Sequence, residues 1–120
     1  MTGFNIQKRR VVVTGLGIIS SVGIGKDQFW EAVIQGKSGI SRVSSFDTKE
    51  YRCHYAGEVN NFIPEDFIPR RKLPFLGRTS QLSIAATSLA LENARFSHRK
   101  INGERTGIFI GTTMGEKPLE

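Results

Sequence analysis

One cysteine and two histidines are all the thiol and imidazole this 120-residue chain possesses. With Cys53 alone, neither a disulfide framework nor a cysteine-based zinc site can form within the chain, and a reducing, cytoplasmic setting is the expectation. No stretch approaches the roughly 20 apolar residues of a membrane span, and the opening MTGFNIQKRR lacks the apolar centre of a signal peptide. Low-complexity tracts, internal repeats and a Pro/Ser-rich linker are absent, so a single unit over residues 1–120 is expected. Acidic residues are also in deficit. Against 17 Lys and Arg stand only 11 Asp and Glu, giving a formal charge of +6 and a pI near 9.9, so the surface should attract an acidic partner. The apolar fraction of 38% is that of a globular protein and excludes a disordered one.

What is present reads as α/β. Val11, Val12, Val13 and Thr14 form an unbroken β-branched run that stops at Gly15, the pattern of a strand buried on both faces. KDQFWEAVIQG spaces Phe29, Trp30, Val33 and Ile34 at helical intervals, with Asp27 near the start and Gly36 suited to a left-handed cap. From Ser38 to Lys72 no period is sustained, apart from AGEV at Ala56 to Val59, which could pair as a strand. RTSQLSIAATSLALENAR then predicts a long helix over Ser80 to Ala94, apolar and small nearly all round and therefore closely packed. Gly107, Ile108, Phe109 and Ile110 repeat the opening design as a second buried strand. Val11–Thr14 and Ile108–Ile110 are accordingly expected as neighbours in a mostly parallel sheet flanked by helices, a sheet left incomplete by this chain.

The glycines after the first strand raise the question of a phosphate. Gly15 and Gly17 begin a dinucleotide fingerprint, but Ser20 occupies the third glycine position, and no Gly-x-x-x-x-Gly-Lys-Ser/Thr run is present. A nucleotide- or nucleic-acid-binding module, suggested by charge and glycines, is thereby disfavoured, and no aromatic platform interleaves the basic residues to stack single strands. The plainer reading is that the glycines turn a buried strand out of its sheet.

VVVTGLGIISSVGIGKDQFWEAVIQGKSGISRVSSFDT closely resembles the opening of the β-ketoacyl-acyl-carrier-protein synthases. Shared, in order and spacing, are the basic pair, VVVTGLG, a short turn with VG, a Trp-bearing helix, GxSGI and FD. AGEV at Ala56, LENA at Leu91 to Ala94 and GIFIGTTMG at Gly107 to Gly115 continue the likeness to the end of the chain. The resemblance implies a thiolase-like fold, of which this chain would be the N-terminal portion, and glycines that bind no phosphate. It implies a synthase that lengthens an acyl chain by decarboxylative condensation with malonyl-carrier-protein, in fatty acid or polyketide synthesis, without a metal or cofactor. It further implies a homodimer whose partner is the acidic acyl carrier protein, with neither nucleic acid nor membrane involved.

By the same resemblance, the nucleophilic cysteine and both catalytic histidines lie beyond Glu120, so no catalytic residue is expected here. Cys53 stands in YRCHYAG as a thiol without a role; adjacent residues of an extended chain point to opposite faces, which disfavours a Cys53–His54 dyad. His98 is expected to be solvated. Arg70, Arg71 and Lys72 match the region where the family docks its carrier protein, although PFLG at Pro74 to Gly77 replaces the further basic residues of the usual pattern. Met114 matches a bulky residue beside the acyl pocket that influences chain length, and its unbranched side chain could yield to a growing chain. A noncatalytic partner of the chain-length-factor kind would share all of these features.

Overall fold

The computed structural model describes residues 10–96 and 102–116, so His98 lies outside the described residues. The first regular element is a hairpin, β1 (Ile19–Ser20) and β2 (Gly23–Ile24), paired antiparallel with Ile19 opposite Ile24. Ser21 and Val22 make its two-residue loop. The Ser20 hydroxyl donates to the Gly23 carbonyl at 3.0 Å and accepts from the Val22 amide at 3.3 Å, holding the loop closed. Gly25, at φ 85° and ψ 159°, then turns the chain into α1 (Lys26–Ile34), a backbone conformation open essentially to glycine alone.

Helix α1 ends as the sequence predicts. Gly36 takes φ 63°; its amide donates to the Val33 carbonyl at 3.1 Å and the Lys37 amide to that of Ala32 at 2.9 Å, the paired bonds of a Schellman cap. The buried face is different from the predicted one. Ala32 is buried and Phe29 half-buried, while Trp30, Val33 and Ile34 are exposed. A second antiparallel pair follows, β3 (Ile40–Arg42) with β4 (Tyr55–Gly57), Ser41 opposite Ala56. AGEV thus pairs as expected at its first two residues, whereas β3 carries no sequence period long enough to reveal it. Gly39 and Gly57 leave the space that the Ser21 side chain at the β1–β2 tip fills.

Two 3₁₀ turns, Pro64–Asp66 and Arg70–Phe75, lead to α2 (Arg78–Asn93). Its cap repeats that of α1 with a non-glycine residue: Arg95 stands at φ 51°, its amide bonded to the Glu92 carbonyl and the Phe96 amide to that of Leu91, both at 2.9 Å. Gly15 and Gly17 lie directly on this helix. A Cβ at either would overlap the carbonyl of Ala90 or Ala86, and Ala94 completes the small-residue seam at four-residue spacing. The Leu16 amide donates to Asn93 Oδ1 at 3.1 Å between the two glycines. Close approach of backbone to helix, rather than phosphate binding, is what these glycines provide.

Three expectations require correction. Val11–Thr14 and Ile108–Ile110 are not strands: both are exposed and belong to no regular element, and no backbone hydrogen bond between described residues involves either. The sheets among the described residues are two antiparallel pairs, so the mostly parallel sheet is not formed. A ladder needs at least one neighbouring strand, and among the described residues neither apolar run has one. Nor is α2 buried all round; Ala85 alone is buried, with the rest of the helix half-buried or exposed, because it is covered only by the glycine seam and the loops. The buried apolar residues are Ala32, Phe62, Ile68 and Ala85.

Candidate functional site

Arg70, Arg71 and Lys72 occupy the first turn of the 3₁₀ segment Arg70–Phe75, which Pro69 enters at φ −55° and which the Lys72 amide closes on the Pro69 carbonyl at 2.8 Å. All three are exposed, as is Phe75 at the far end of the turn. The ion pairs among the described residues are Lys26–Asp27 at 2.6 Å and Lys49–Asp47 at 3.5 Å, so no described carboxylate pairs with the three cations. They present exposed positive charge beside an exposed aromatic ring.

Sequence reading overlooked a cation with specific partners just after this turn. Arg78, the first residue of α2, donates through Nη2 to the Val59 carbonyl at 2.7 Å and lays its guanidinium 4.8 Å from the centre of the buried Phe62 ring. Phe62 in turn stacks on Phe67 with centroids 5.9 Å apart. The basic turn thus lies in sequence between this aromatic cluster and the start of α2. Arg78 reads in sequence as one more exposed cation; only its partner 19 residues earlier reveals its role.

Met114 sits on the Thr112–Gly115 turn and is 86% exposed. The turn closes with the Gly115 amide donating to Thr112 Oγ1 at 3.0 Å, Gly115 itself at φ 68°. Beside it a cleft of about 330 Å³ runs along α2, with Leu76, Ile84 and Ile110 as its apolar walls and Glu116 at its rim. A second apolar cleft, about 310 Å³, continues past Ile84 to Leu91 and Ile108. Met114 lines neither.

Cys53 and His54 do not form a pair. The Cys53 thiol is exposed and donates to the Tyr55 carbonyl at 3.3 Å, whereas His54 Nδ1 meets the buried Thr48 hydroxyl at 3.0 Å. Neither arrangement activates a nucleophile. A third cleft, about 440 Å³, is polar, with Ser21, Gln28, Lys37 and Asn61 on its walls, but no carboxylate or imidazole to serve as base. No group of three or more His, Cys, Asp or Glu among the described residues could hold a metal, and no described helix is long and apolar enough to cross a membrane.

The most strongly perturbed carboxylate also escaped sequence reading. Glu58 follows β4 and accepts four hydrogen bonds from the Ser44–Ser45 pair after β3: Oε2 from the Ser44 amide at 2.8 Å and hydroxyl at 2.9 Å, Oε1 from the Ser45 amide at 3.1 Å and its hydroxyl. The Ser45 hydroxyl, then the Ser44 amide and hydroxyl, hold its pKa down at about 2. Its work is to tie the ends of the two strands together.

Residues 8–120 match the family model described as "Beta-ketoacyl synthase, N-terminal domain". Among curated proteins, the chain is 32% identical over 111 residues to a 3-oxoacyl-[acyl-carrier-protein] synthase 2 of Synechocystis sp., covering 92% of this chain and 27% of that protein. It is 34% identical to the Staphylococcus aureus (strain COL) protein of the same name, over 91% of this chain and 26% of the relative. The Vibrio cholerae counterpart is 36% identical, over 92% and 27% respectively. The chain thus spans about a quarter of the length of these relatives. Among solved structures, "The ishigamide ketosynthase/chain length factor" superposes with a TM-score of 0.72 at 34% identity, covering 78% of this chain and 23% of that one.

Proposed function

The chain belongs to the β-ketoacyl synthase family, matching its N-terminal domain, and from that premise we propose that the protein lengthens acyl chains by decarboxylative Claisen condensation on acyl carrier protein. The match in register over residues 8–120 carries this reading. In the proposed reaction a cysteine thiolate attacks the acyl thioester, forming a new C–S bond and expelling the carrier thiol. Malonyl-carrier-protein then loses CO₂, and the carbanion left behind attacks the acyl-enzyme, forming the C–C bond and releasing the cysteine thiolate. Cys53, exposed and without a base, is not that nucleophile; the thiolate and its two imidazoles belong to the part of the family's length that this chain does not span.

The contribution assigned to this chain is recognition. Arg70, Arg71 and Lys72 receive the acidic carrier protein, and the turn bearing Met114 borders the acyl chain. Residues 1–120 act as one segment of the N-terminal domain of a thiolase-like fold. Within the assembled domain, Val11–Thr14 and Ile108–Ile110 become parallel strands of a common sheet, which is why two such apolar runs lie open here. A cytoplasmic homodimer, without nucleic acid, completes the reading.

A chimera tests it. Residues 8–120 would replace the matching segment of the Vibrio cholerae synthase, and 3-oxoacyl product would be measured from acyl- and malonyl-carrier-protein. Product formation is expected, reduced when Arg70, Arg71 and Lys72 are changed to Glu; a folded chimera unable to condense would overturn the reading. The likeness to the ishigamide ketosynthase/chain length factor favours a second reading, a noncatalytic partner of the chain-length-factor kind. That reading requires activity only when the protein is mixed with an active synthase, so assaying it alone and in mixture separates the two.

A further inference from the structure

Helix α2 begins without a cap of its own. Its N-cap residue is Gly77, which has no side chain to accept from the first amides of the helix. The acceptor comes from 36 residues downstream: the Ser80 amide donates to Glu116 Oε2 at 2.9 Å, and the Ser80 hydroxyl donates to the same oxygen at 2.5 Å. This amide is the one that an N-cap Ser or Asp would satisfy. Gly77 makes the arrangement possible, because any Cβ there would overlap the Glu116 carboxylate. A second tie lies alongside, the Thr79 hydroxyl donating to the Gly115 carbonyl at 3.1 Å. The cap of α2 and the anchor of the Thr112–Gly115 turn are therefore the same set of bonds.

The segment that precedes the turn needs such an anchor. Residues 106–111 make no backbone hydrogen bond to described residues, and Ile108 and Ile110 touch the α2 cleft only through apolar contact, which does not fix position along the helix. We propose that Glu116 is a positioning residue: by capping α2 in trans of Gly77 it sets where the Thr112–Gly115 turn, and Met114 on it, stands. Its bearing on acyl-chain length rests on the family reading given above, whereas the latch itself does not.

The test separates capping from positioning. Met1 and Met114 are the two methionines of the chain, so in the monomeric fraction collected by size exclusion at low concentration methyl-labelled methionine gives one informative resonance for the turn, and hydrogen exchange over residues 78–82 reports the cap. Glu116→Ala is expected to lower exchange protection there about fivefold, the scale of a lost N-cap, and to narrow the Met114 resonance toward its random-coil position. Glu116→Gln, which keeps an acceptor, should retain most of both. Glu116→Ala with Gly77→Asp supplies a local cap in the space vacated: protection should return while the Met114 resonance stays narrow. A return of both, or no change of the Met114 resonance in Glu116→Ala, would refute the positioning role. In the chimera, Glu116→Ala should broaden the range of chain lengths accepted, with condensation of short acyl groups retained. A latch confirmed by resonance without that broadening would remove the acyl role from Met114 and leave the positioning intact.

Discussion

Ile108 and Phe109 are 85% and 96% exposed, and Val11 and Val13 at the other end of the described chain are 90% and 80% exposed. Full burial of such a side chain contributes about 1.5–3 kcal/mol. Val11, Val12, Val13, Ile108, Phe109 and Ile110, left largely in water, therefore forgo on the order of 10 kcal/mol, as much as the whole net stability of an ordinary domain, about 5–15 kcal/mol. Neither run finds a backbone hydrogen-bond partner among the described residues, which makes both a template for strand pairing between molecules. The 120-residue polypeptide in isolation should accordingly self-associate and melt without a sharp transition. Light scattering after size exclusion, over a range of concentrations and with a dye that reports exposed apolar surface, measures this directly. Phe109→Ser with Ile110→Lys should shift the distribution toward monomer and reduce dye binding. A monodisperse monomer melting cooperatively above about 50 °C, ordinary for a mesophilic domain, would show that these residues complete their own core and that the reasoning is wrong.

Charge reversal of Arg70, Arg71 and Lys72 to Glu should weaken binding of an acidic carrier protein at least tenfold at low salt, with the difference shrinking as salt is raised; calorimetric titration at two ionic strengths checks it. Incubated with acyl- and malonyl-carrier-protein, the 120-residue chain should form no 3-oxoacyl product, and product lost on Cys53→Ala would promote that thiol to nucleophile. Glu58 has a folded pKa below its ordinary value, so its contribution is fully present above pH 4.5 and disappears as pH falls through about 2; thermal melts of wild type and Glu58→Gln should differ at pH 6 and converge toward pH 2. Arg95→Gly should stabilise the end of α2 by about 0.5–1 kcal/mol, since only its left-handed φ is at stake, and denaturant titration of α2 helicity by circular dichroism would detect it.

What the sequence made legible was local chemistry. The left-handed cap at Gly36 needs only a glycine after a helical period, and AGEV needs only alternating small and apolar residues, so both could be found without knowing the rest of the chain. Contacts between distant residues were invisible on the same terms. Ser44 and Ser45 do not announce that a carboxylate 13 or 14 residues later will bind them, and Gly77 does not announce that its missing cap will come from Glu116. Arg78 is a cation at a helix start, where the dipole disfavours it, and its guanidinium is retained by Phe62 and the Val59 carbonyl instead.

The two failed strands and the glycines beside them share one explanation. β-branched composition specifies that a run will extend and that its side chains prefer burial, but not which neighbours supply the ladder. Val11–Thr14 and Ile108–Ile110 have that composition and, among the described residues, lack the neighbours. Gly15 and Gly17 depend on no such neighbour: their space is filled by the backbone of α2 at Ala86 and Ala90, a contact wholly inside the described chain. That contact is also the argument against a phosphate site, since a loop that cradles an anion must turn its backbone to open space, and this one turns it into a helix. In this chain the glycines after Thr14 are thus a packing device, and their contact with α2 is made entirely by described residues.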